Sequence, residues 1–220
     1  MDRIVRALQS SIGKKQVMAV TGFALAGFLV AHLAGNLLLF AGAEAFDGYA
    51  AALESRKWLL IPAEIGLLAV FVTHVGLAIR VTIENHRARP ARYHVDAHRG
   101  ARTPASSTMI VSGAFILAFI VIHLLHFKFG RDEGESLYWL VIRTFKNPVN
   151  LIWYIVGVSI LGAHLWHGVQ SAFRSLGLWR TRSASMIVSV SRTFGVAMAV
   201  GYAALPIYAY CFVDLPPASG

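Results

Sequence analysis

The chain has 220 residues, of which 56% are hydrophobic and only 14% charged, with mean hydropathy +0.59 and a net charge of +9. Soluble domains carry roughly 25% charged residues, and here the polar residues are confined to short connections, so a soluble core of this size is excluded. A single cysteine, Cys211, rules out intramolecular disulfides and leaves no thiolate set for an iron–sulfur cluster, while the positive charge reads as basic loops beside membrane spans rather than as a nucleic-acid surface.

Five apolar runs follow in chain order, at about 17–42, 58–82, 108–129, 149–173 and 187–213. Each is near the ~20 residues that cross a bilayer, and with no water to satisfy backbone groups each must be a helix. The first run is too long for the apolar region of a cleaved signal peptide. The expectation is therefore an all-α bundle of five transmembrane helices forming one domain over residues 1–220. Connections are short except for the polar stretch 83–107, rich in Arg and His. Trp58, Trp139, Trp153 and Trp179 sit near span ends, as interfacial aromatics do.

Orientation follows from Lys and Arg. With the N-terminus in the cytoplasm, the inner segments hold fourteen of these cations and the outer segments six, the latter being Arg56, Lys57, Lys128, Arg131, Arg143 and Lys146. The positive-inside rule then puts the N-terminus inside and the C-terminus outside.

Of nine histidines, six fall within the spans: His32, His74, His123, His126, His164 and His167. A single imidazole in hydrocarbon can be a structural residue bonded to a neighbouring helix, but a set of them points to function. Taking ~1.5 Å of rise per residue, His32 lies roughly 4 Å and His123 roughly 7 Å outside the midplane. On the same reckoning His74 lies roughly 6 Å and His164 roughly 4 Å inside it. Four helices each supply one histidine, and the four sort into an outer and an inner pair.

Two stacked bis-histidine haem sites account for that sorting. A haem iron takes one axial ligand on each face, and with both positions filled it cycles electrons rather than binding oxygen. No C-x-x-C-H occurs, so the haems would be non-covalent b-type. Gly35, Gly66 and Gly157, on histidine-bearing spans, are candidates to let a flat ring approach, although membrane helices favour Gly at contacts anyway. The third and fourth spans each offer a choice, because His123 and His126, and His164 and His167, share a face three residues apart. His123 and His164 are the more central. His126 and His167 would then lie nearer the interface, beside a propionate, a quinone or lipid headgroups. His86, His94 and His98 belong to the polar stretch.

These residues carry a family likeness. The chain resembles the five-helix, di-haem cytochrome b558-type membrane anchor of succinate dehydrogenases and fumarate reductases. The matching features are His32-Leu-Ala-Gly-Asn36, Gly42-Ala-Glu-Ala-Phe46, His74 late in the second run, Ile122-His-Leu-Leu-His-Phe127 and His164-Leu-Trp-His-Gly-Val-Gln-Ser-Ala-Phe173. Likeness covers about residues 10–213. It implies that His74 and His164 ligate a proximal haem near the cytoplasm and His32 and His123 a distal one. It further implies a flavoprotein subunit and an iron–sulfur subunit docked on the cytoplasmic face, formed by residues 1–15, 83–107 and 174–187, and a membrane quinone, menaquinone, as substrate.

Quinone reduction consumes protons, so a protonatable group is expected near the distal haem. Glu64 in the second run, roughly 9 Å outside the midplane by helical rise, is the first candidate, with Glu44 and Glu54 as weaker alternatives. The competing reading of Glu64 is a helix-end carboxylate bonded to Lys57 or to backbone. Arg80 and Arg174 at the inner span ends, and Arg143 and Lys146 outside, are candidate propionate partners. Two rival functions stay open: a cytochrome b subunit of a hydrogenase or formate dehydrogenase, and a haem-free transporter.

Overall fold

The computed structural model describes residues 10–87 and 104–215, with side chains of the second segment from residue 108. Among these residues the chain is helical with no strand. Seven α-helices follow in order: α1 (Ser11–Asn36), α2 (Ala43–Glu54), α3 (Lys57–Arg87), α4 (Pro104–Phe127), α5 (Leu137–Phe145), α6 (Pro148–Ser175) and α7 (Ala184–Phe212). Five of them, α1, α3, α4, α6 and α7, are long and apolar enough to cross a membrane, and the expected five-span all-α bundle is what the chain forms.

The spans reach beyond the apolar runs because local chemistry sets their ends. α1 starts six residues earlier than hydropathy suggests, where the Ser10 hydroxyl caps it by accepting from the Gly13 N–H at 3.0 Å. α3 continues to Arg87, and its polar last turn is tied to the start of α1 by an ion pair between Lys14 and Glu84. α6 opens on Asn147, whose side chain accepts from Val149 N–H at 2.9 Å, followed by Pro148 in the first turn, where a missing N–H costs nothing. Gly177, at φ +72°, turns the chain out of α6.

The spans run alternately up and down: Ser112 early in α4 meets His164 late in α6, and three further cross-links join opposite ends of the other neighbours. Lys14 at the start of α1 meets Glu84 at the end of α3, and Glu64 near the start of α3 meets Lys128 just past α4. Lys146 before α6 donates from Nζ to Tyr210 O near the end of α7 at 2.9 Å. In the bundle, α1 packs on α3 and α6, α6 packs on α4 and most extensively on α7, and α3 and α4 meet only sparingly. Gly162 and Gly195 bring the backbones of α6 and α7 together, each standing where a Cβ on the other would collide with a carbonyl. α3 has no buried residue, and Trp58, Ile65, Leu68 and Val72 project outward. Such a helix belongs at the lipid edge.

Two short helices occupy stretches that the sequence reads as plain connections. After a 3₁₀ turn (Leu37–Ala41), Gly42 at φ +93° reverses the chain into α2, a conformation open to glycine at little cost. α2 and α5 pack on each other beyond the ends of the spans. Asp47 of α2 joins them: its carboxylate accepts from Ser136 Oγ at 2.6 Å and from the Tyr138 N–H at 2.9 Å, at the start of α5. Beneath this join, Leu39, Phe46, Tyr138, Val141, Ile142 and Phe145 form a buried core with Tyr154 and Val158 of α6 and Leu205 and Ala209 of α7. The face opposite the N-terminus thus carries an apolar cap.

Candidate functional site

His32 of α1 and His123 of α4 lie side by side under this cap. Their ring centres are 6.0 Å apart and their planes nearly perpendicular, at 88°. His32 stacks on Phe28 at 5.3 Å and meets Tyr202 of α7 at 6.2 Å. His123 is flanked by Phe119 at 6.2 Å, Phe127 at 5.3 Å and Tyr154 at 6.0 Å. Its Nδ1 is buried without a hydrogen-bond partner. A buried ring nitrogen left unpaired is costly, and ligation is one way to satisfy it.

The other two histidines sit towards the N-terminal face. His74 Nδ1 lies 3.2 Å from Thr21 Oγ1 and 3.2 Å from Met18 O, both on α1. His164 Nδ1 lies 2.9 Å from Ser112 Oγ on α4. Eleven residues, about 16 Å of helical rise, separate Thr21 from His32 and likewise Ser112 from His123. Two levels result, His32 and His123 at one and His74 and His164 at the other.

Glycines open space at the second level. A Cβ at Gly22 would meet His74 Cε1 at 3.2 Å, and one at Gly113 would meet His164 Cε1 at 3.6 Å. Neither glycine stood out in the sequence. Gly35 and Gly157, which did, are filled instead by the aromatic rings of Tyr49 and Phe119, and nothing lies within 4 Å of a Cβ at Gly66. Gly35 and Gly157 therefore serve helix packing.

The members of each histidine doublet differ in their partners. His126 Nδ1 is bonded to the buried Tyr154 hydroxyl at 3.1 Å, with the two rings stacked at 5.9 Å, whereas His123 Nδ1 has no hydrogen-bond partner. In the second doublet His164 points at Ser112, whereas His167 stacks on the neighbouring Trp166 at 5.0 Å. His86 bonds back to Thr82 O at 2.9 Å in the last turns of α3, and His94 and His98 lie outside the described residues.

The separation of the outer pair fits an iron between two imidazoles. Two metal–nitrogen bonds of about 2.0–2.1 Å, each extended to the middle of its imidazole, put the ring centres about 6 Å apart, as His32 and His123 are. An Nδ1 held by a hydroxyl or carbonyl turns the opposite nitrogen, Nε2, away from that partner, the arrangement of a metal-ligating histidine with its supporting shell. Among the described residues no group of three or more His, Cys, Asp or Glu gathers as a metal cage.

The acidic candidates have partners. Glu64 is half-exposed on α3 and pairs with Lys128 rather than Lys57, linking α3 to α4. Glu54, ending α2, accepts from Arg131 Nη1 at 2.5 Å, and Glu44 is exposed in the first turn of α2. Of the basic candidates, Arg80 Nε donates to Glu84 at 3.1 Å and Arg174 stacks 4.2 Å above the Trp179 ring. Arg143 pairs with Glu135 at 2.6 Å, and Lys146 is the α7 cross-link already described. Of the expected docking face, residues 10–15, 83–87, 104–107 and 174–187 are described and the rest lie outside.

Fold and site together define a multi-pass helical membrane protein with histidines of four spans at two levels. No protein-family model, no curated protein and no solved structure matches the chain.

Proposed function

We propose that this chain is the membrane anchor and di-haem cytochrome b subunit of a succinate:quinone oxidoreductase in a cytoplasmic membrane, with its N-terminus inside. The observation that carries the reading is the pairing of four histidines from four spans at two levels. The resemblance of the histidine motifs to the b558-type anchors supplies the family. Bound at each level, a b haem supplies reversible one-electron transfer at an iron closed to oxygen.

The residues of the chain divide the work. His74 and His164 hold the inner, proximal group, with Thr21, Met18 and Ser112 fixing their rings. His32 and His123 hold the outer, distal group beneath the α2–α5 cap, whose apolar core keeps water from that side. Arg80 and Arg174 are assigned to anionic propionates at the inner level, with His126 and His167 at the periphery of the two sites. Glu64, drawn to Lys128, is the carboxylate assigned to proton exchange with a quinone, preferred to Glu44 and Glu54. A flavoprotein subunit and an iron–sulfur subunit dock on the basic inner face, and the quinone, assigned as menaquinone, reacts near the outer level. Each electron carried across couples to the membrane potential by about 2.3 kcal/mol per 100 mV.

The test is haem quantification and a reduced-minus-oxidised spectrum of the purified chain. Two b haems per chain are expected. A colourless protein, or one haem per chain, defeats the reading. Copurification of a flavin-containing partner, rather than one with molybdenum or nickel, separates it from a hydrogenase or formate dehydrogenase subunit.

A further inference from the structure

α7 contributes no histidine, yet it touches α1 at the turn that carries one. Tyr202 of α7 donates its hydroxyl to Leu29 O of α1 at 2.8 Å, across 173 residues of sequence. The same ring lies 6.2 Å from the His32 imidazole. Next to it, Gly201 stands so close to α1 that a Cβ there would meet Leu33 Cδ2 at 2.8 Å. Leu29, Leu33 and Tyr202 all pack on the small cluster of Ala26, Leu165 and Met198 where α1, α6 and α7 meet.

A phenol in an apolar bundle must find an acceptor, and a helix carbonyl is already occupied by its own ladder. Leu29 O serves both the ladder and Tyr202. That bond fixes the rotation of α1 about its axis, because one residue of helix turns the side-chain direction by about 100°. Leu29 and His32 are three residues apart and share a face, so what holds the first aims the second. The His32 ring is then boxed by Phe28 of its own helix, His123 of α4 and Tyr202 of α7.

We infer that Tyr202 is a positioning residue for the outer histidine pair: through Leu29 O and its ring, α7 sets the angle at which His32 faces His123. The inference rests on the di-haem reading for its readout. No comparable contact from α7 reaches His74 among the contacts described, so the effect is confined to the outer level.

The experiment compares Tyr202→Phe with the wild-type chain, purified with haem bound, by low-temperature EPR of the two low-spin ferric signals and by redox titration. The variant should keep both haems, displace the EPR signal and midpoint potential of the outer haem and leave the inner haem unchanged. Gly201→Ala, which pushes on Leu33 without removing the hydroxyl, should move the same outer signal by less, and it serves alone where Tyr202→Phe does not assemble. An outer signal that stays put in the variants that assemble, or an inner signal displaced as far as the outer, overturns the inference. A wild-type chain lacking two haem signals defeats the underlying reading instead.

Discussion

In the di-haem reading the doublet in α4 divides by what each ring faces. His123 meets the His32 ring at 6.0 Å whereas His126 stacks on Tyr154, so His123→Ala should remove the outer haem while His126→Ala should retain it. Pyridine haemochrome counts on the two variants measure this directly. Ser112 holds the Nδ1 of His164, and a partner that orients a ligating histidine in this way is worth about 10-fold or more in ligand-site affinity. Ser112→Ala should therefore weaken retention of the inner haem by about 10-fold on titration of the apoprotein, with the outer haem unaffected. Glu64→Gln keeps the size of the side chain but removes its negative charge, and with it the ion pair to Lys128. Both haems should remain, and electron delivery to quinone should be lost. Normal quinone turnover in that variant would take Glu64 out of the mechanism.

Among the elements, α2 and α5 are held by one carboxylate. Asp47 accepts from a hydroxyl and a backbone N–H at the positive end of α5, and hydrogen bonds to charged groups contribute about 1.5–3 kcal/mol each. Asp47→Ala should lower stability by about 2 kcal/mol, seen as earlier loss of helicity on denaturant titration in detergent. The α6–α7 seam depends on bare backbone at Gly162 and Gly195. Valine at Gly162 has no room, and overpacking of this kind costs about 1–3 kcal/mol. Its thermal midpoint should fall further than that of Gly66→Ala, where a Cβ meets nothing within 4 Å.

At the scale of the whole molecule, the two faces differ. One is closed by α2, α5 and their ion pairs; the other carries Lys14, Glu84, Arg80, Arg174 and the basic turn Arg180–Arg182. The proposed function, with fourteen cations against six by the positive-inside rule, has that basic face in the cytoplasm. A reporter active only in the cytoplasm should therefore be active when fused before residue 10 and silent when fused after residue 215, and the opposite result would invert the assignment of inner and outer levels.

The chain alone determined the number of spans and their approximate limits, because burial in lipid demands long uninterrupted apolar runs, and it made the histidines within them conspicuous. It left α2 and α5 as connections, since short helices declare themselves only through what they pack on and Asp47 meets Ser136 across 89 residues of sequence. Likewise the bond of His126 to Tyr154 was not legible, and the glycines beside the histidines proved to be Gly22 and Gly113 rather than Gly35 and Gly157. Periodicity names the residues that share a face of one helix. Which side chain from another helix comes to meet them depends on how the helices are rotated and inclined in the bundle, and that is a property of their joint packing.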